Sequence, residues 1–161
     1  MWPRIITTLG VVALSLTWLA ASRGDETPKP DKKDGNNPVL LQTVGVLAAT
    51  HLYQSYLNIG FIADAKAEGN YGEKEAKELL ASVLKMMDLA DKQLEKMDKL
   101  ELAKEDRQAL DVLRKLQKKL KDQSDELQAF WKTGDKEHGD KYEAIRKETW
   151  QSIRTLLGLT D

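Results

Sequence analysis

GNNPVLLQTVGVLAATHLYQSYLNIGFIA, residues 35–63, contains no Asp, Glu, Lys or Arg, in a chain where those four types make up 32% of 161 residues. Asn37-Pro38 opens a helix well, because Asn accepts from orphan backbone N–H groups and Pro suits the first helical position. The next strong stop is Glu68-Gly69-Asn70-Tyr71-Gly72, so the stretch predicts a first helix from about Pro38 to Lys66. A helix without charge on any side is enclosed by other helices or pairs with another copy of itself. That requirement sets the expectation for the rest of the chain.

Spacing divides this helix into faces. Leu41, Gly45, Ala48, Leu52, Tyr56, Ile59 and Ala63 recur in steps of three and four and form the expected core stripe. Roughly opposite lie Val46, Thr50, Tyr53, Leu57 and Phe61, a second apolar and aromatic stripe. This is the candidate partner or self-association surface, unless the remaining helices of the same chain cover it. Between the two runs the polar line His51, Gln54, Ser55 and Asn58. It is either a small polar site or a hydrogen-bonded seam that sets register.

Downstream, Ala76, Leu80, Val83, Met87, Ala90, Leu94 and Met97 alternate steps of four and three, which predicts a second helix over about Glu73–Lys99. A third is expected over about Lys104–Lys132, carrying Ala109, Leu113, Leu116, Leu120, Leu127 and Trp131. The junction between them holds neither Gly nor Pro, so one continuous helix competes with a bend. Thr133-Gly134-Asp135 and Gly139 interrupt the pattern, and a fourth helix is expected from about Asp140 to Leu157, with Tyr142, Ile145, Thr149, Ile153 and Leu156 on one side. No segment alternates with the period of a strand. The expectation is an all-α, up-down antiparallel four-helix bundle whose short fourth helix leaves one end incomplete.

Ahead of the bundle, Arg4 precedes the uncharged run Ile5–Ala21, followed by Ser22 and the polar Arg23-Gly24-Asp25-Glu26. A basic start, an apolar core and small exit residues describe a secretory signal peptide over 1–21. The alternative is an uncleaved anchor, for which 17 residues is short. Residues 22–37 have no aliphatic or aromatic side chain and predict a disordered linker, leaving 38–161 as the helical domain. The chain is therefore expected to be extracytoplasmic, periplasmic or secreted, with membrane contact only if the leader is retained. With no cysteine, it has no disulfide to help it there.

Charge excludes several functions. The net charge is −1 with the signs interspersed, so no nucleic-acid partner is expected. Two histidines, His51 and His138, neither preceded three residues earlier by Glu, do not supply a carboxylate-bridged di-iron set. Covalent haem and zinc sites lack their Cys and His ligands. A noncovalent haem between His51 and Met87 or Met97 is the one cofactor arrangement left open, against the ordinary use of Met in cores. Ser55 sits one turn from His51 without a nucleophile elbow, and Asp64 and Asp88 are an acid pair that could meet across the first two helices. Arg146, beside Tyr142 and Trp150, is expected to lay its stem on Trp150. No cofactor and no catalysis are assigned. The expected role is a structural or protein-binding module, the alternative a small-ligand, haem or metal carrier using the polar line of the first helix.

Overall fold

The computed structural model describes residues 38–159. The leader, the linker and the Asn37 cap lie outside them. Among the described residues there are four helices and no strand: α1 (Pro38–Ala67), α2 (Glu73–Met97), α3 (Lys104–Thr133) and α4 (Lys136–Leu157). α1 and α3 each pack against the other three helices, whereas α2 and α4 make no contact with one another. The core therefore lies along the α1–α3 pair, with α2 and α4 as flanks.

The heptad reading of α2 carries over into burial. Ala76, Leu80, Met87 and Leu94 are buried, and Val83, Ala90 and Met97 half-buried. α3 buries Leu110, Leu113, Leu116, Leu120 and Leu127, while Ala109 of the expected stripe is exposed. α1 buries Ala49, Leu52, Ser55, Ile59, Gly60, Ile62 and Ala63. The first buried residue of α1 is thus Ala49, and Leu41, Gly45 and Ala48 of its expected core stripe are only half-buried.

Two boundaries correct the sequence reading. α4 begins at Lys136, four residues ahead of Asp140, and Gly139 lies inside it, its N–H donating to the Asp135 carbonyl at 3.4 Å. Asp135 is the reason: its side chain accepts from the Glu137 N–H at 2.9 Å and caps the first turn. Gly134, at φ +69°, ends α3 in a left-handed conformation that a side chain would strain. A Cβ at Gly139 would stand 3.4 Å from the Phe130 ring, an ordinary packing distance.

The other boundary settles the junction after α2. The chain breaks there without Gly or Pro, and α2 stops at Met97, two residues short of Lys99. Arg107 of α3 donates to the Asp98 carboxylate at 2.6 Å, to the Asp98 carbonyl at 2.9 Å and to the Leu100 carbonyl at 3.0 Å. A guanidinium thus satisfies carbonyls of the turn that follows α2.

Candidate functional site

The N-terminal half of α1 is the most unusual surface of the molecule. Val39, Leu40, Val46 and Leu47 are 69%, 60%, 47% and 64% exposed. Thr43 and Thr50 are exposed between them, but each hydroxyl donates to its own helix, Thr43 to the Val39 carbonyl at 2.7 Å and Thr50 to the Val46 carbonyl at 2.9 Å. With their protons committed, these threonines offer surroundings a methyl group and an accepting oxygen but no donor. Val39, Thr43, Val46 and Thr50 thus form an exposed stripe in steps of four, three and four, with Leu40 and Leu47 beside it. That is the spacing of a coiled-coil seam.

The five residues of the expected partner surface do not share one environment. Val46, Thr50 and Phe61 are exposed. Tyr53 is half-buried against the core, its ring centroid 6.3 Å from that of Trp150, and Tyr56 stacks on the same indole at 5.6 Å. Leu57 is half-buried. α4 therefore reaches over the C-terminal half of α1 and uses Trp150 to cover part of the stripe. Sequence periodicity could not anticipate this, because it does not say where α4 ends relative to α1. The exposed Val39, Leu40 and Leu47 fell outside the stripe for the same reason, although their lack of charged neighbours was a signal.

The polar line also divides. Gln54 and Asn58 are exposed, Ser55 is buried, and His51 is half-buried with a buried Nε2 that has no hydrogen-bond partner. Burial lowers the His51 pKa, since the imidazolium loses hydration there. Met87 is fully buried in the core and Met97 half-buried. Asp64 and Asp88 are engaged by different helices, Asp64 by Arg146 at 3.8 Å and Asp88 by Lys121 at 2.7 Å, so they form no acid pair. Arg146 also bonds Glu143 at 3.2 Å.

A second polar set, in α3 and α4, was legible only as a gap. Between Leu120 and Leu127 the seam positions are Gln123 and Ser124, both fully buried. Ser124 donates to the Leu120 carbonyl at 2.9 Å, the Thr149 hydroxyl has no hydrogen-bond partner in the protein, and the Gln123 amide and the Tyr142 hydroxyl meet one another without full hydrogen-bond geometry. Burial pushes the Tyr142 phenol up to about 12. Gln117 fares better, donating to the Met87 carbonyl across the α2–α3 contact. Such groups cost stability when unpaired and give a core a preferred register when paired.

No group of three or more His, Cys, Asp or Glu among the described residues is placed to hold a metal ion, and no described helix is long and apolar enough to cross a membrane. Comparison with family models, with curated proteins and with solved structures yields no match.

Proposed function

We propose that this protein is a non-catalytic, self-associating helical module, in which the N-terminal half of α1 pairs with the same surface of a second copy. The four helices form an up-down antiparallel bundle that is incomplete at the end where α1 begins. The observation that carries the reading is the exposed seam Val39, Thr43, Val46 and Thr50 with Leu40 and Leu47 alongside. From the Tyr53–Trp150 contact, α1 continues 15 residues toward its start, while α4 continues only seven to its end. About eight residues of α1, roughly 12 Å, therefore run past the end of α4.

A second copy is the occupant that the chemistry favours. No residue from Gly35 to Ala63 is charged, so two such faces can meet across a twofold axis without desolvating or opposing any ion. A charged partner would find nothing complementary on this surface. The exposed β-branched residues and leucines at coiled-coil spacing are what a like helix packs against. Together with the leader and linker read from the sequence, this makes an extracytoplasmic module that associates at its tethered end.

The test is the mass of the purified protein by light scattering, with circular dichroism as the control for folding. The unmodified protein is expected to be a dimer. Val46→Glu and Leu47→Asp leave the helical signal intact and yield a monomer. A monomeric unmodified protein, or a dimer that survives both changes, would refute the assignment. Phe61→Lys lies on the half of α1 that α4 accompanies and is expected to leave the dimer in place.

A further inference from the structure

The exposed seam of α1 is lopsided. Leu40 and Leu47 each follow a seam valine by one position and are 60% and 64% exposed. On the other flank, one position before each seam threonine, stand the exposed, polar Gln42 and the buried Ala49. When two like helices pair in parallel, the flank after the seam on one meets the flank before it on the other, so the leucines would face Gln42 and the enclosed Ala49. Antiparallel pairing sets each flank against its own kind, and leucine meets leucine.

The seam itself favours the same arrangement. Thr43 and Thr50 give their protons to the Val39 and Val46 carbonyls and so present an oxygen without a donor. In parallel register each threonine faces its own counterpart, oxygen against oxygen. Antiparallel register places Thr43 against Val46 and Thr50 against Val39, so every layer pairs an oxygen-bearing side chain with a hydrocarbon one. Beyond Thr50 the next seam position is Tyr53, which Trp150 covers. The free run is therefore 39–50. Antiparallel pairing lays this run on itself, whereas parallel pairing sets the two Trp150-covered stretches side by side.

Resting on the reading that α1 self-associates, we infer that the two copies pair antiparallel, about a twofold axis that crosses α1 between Val44 and Gly45. Leu40 of each copy packs against Leu47 of the second copy, and Val39 against Thr50. α4 runs seven residues past Trp150 and ends about level with Val46. It stays on its own side of the axis, so the two α4 helices do not overlap along α1. The paired α1 helices then begin about 20 Å apart and point in opposite directions. The dimer is a head-to-head link rather than a side-by-side cluster.

The chain has no cysteine, so introduced thiols report the register alone. Val39→Cys and Thr50→Cys, both at exposed positions, are equilibrated in a glutathione redox buffer, each alone and as an equimolar mixture. The mixture is expected to give a disulfide-linked dimer on a non-reducing gel, because the two thiols face one another. Neither variant alone should do so, since like thiols stand about 16 Å apart along the axis, beyond the ~7 Å between Cα atoms that a disulfide spans. Cross-linking by either variant alone would overturn the antiparallel arrangement in favour of a parallel one. No cross-link in any sample, from variants that light scattering shows to be dimers, would also overturn it and leave self-association standing. Monomers by light scattering would instead remove self-association, and the arrangement with it.

Discussion

Arg107 holds both the carboxylate and the main-chain carbonyl of Asp98, at 2.6 and 2.9 Å, and so turns the chain between α2 and α3 where no Gly or Pro does. Arg114 donates to the other carboxylate oxygen at 2.7 Å. One acid, set between two arginines from the next helix, fixes the corner. Both arginines and the acid remain over a third exposed, which screens the pairing.

Replacing Arg107 by Ala should therefore lower stability moderately, by about 1–2 kcal/mol, because two carbonyls and a carboxylate lose a donor together. Arg107→Lys should recover only a small part, since a single ammonium cannot reach all three acceptors with fork geometry. Urea denaturation followed by circular dichroism measures this. Equal stability of the Lys variant would show that charge alone holds the corner.

Gln117 and Gln123 should respond with opposite signs. Gln123 is fully buried and its amide meets the Tyr142 hydroxyl only outside full hydrogen-bond geometry, so Gln123→Leu is expected to raise stability by about 1 kcal/mol. Gln117 donates to the Met87 carbonyl, and Gln117→Leu forfeits that bond at a cost of about 1 kcal/mol. A loss of stability from Gln123→Leu would mean that the amide is satisfied in solution.

Stability should fall on mild acidification, and His51 should be part of the reason. Burial holds its folded pKa below the ordinary histidine value of 6.5, so near and below that pH the unfolded chain binds the proton more readily. The contribution of neutral His51 is therefore complete above 6.5 and is lost as pH falls through the window beneath it. His51→Gln should flatten the dependence of the melting midpoint between pH 7 and 5. An unchanged slope would remove His51 as its source.

Two leucines five positions apart on α1 should differ sharply. Leu52 is 1% exposed and Leu47 is 64% exposed. Leu52→Ala should cost about 2–5 kcal/mol, from lost transfer energy and the cavity left behind. Leu47→Ala should stay within about 0.5 kcal/mol for the monomer while weakening the dimer. Melts at two protein concentrations separate these effects.

What the sequence alone determined is the set of helices. Periodicity at three and four residues is local, and it located α2 and α3 to within two residues and identified Leu80, Met87, Leu116 and Leu120 as core. It also marked α1 as chemically unlike its neighbours. The start of α4 was obscured because Gly139 reads as a breaker, whereas the Asp135 cap opens the helix ahead of it. Tertiary structure decided the rest, since burial depends on which neighbour lies alongside and how far it extends. α4 covers Tyr53 and Tyr56 with Trp150 but ends before it can reach Val39 and Leu40. The same packing brings Lys66 of α1 onto Trp131 of α3, two residues 65 positions apart that no local pattern connects.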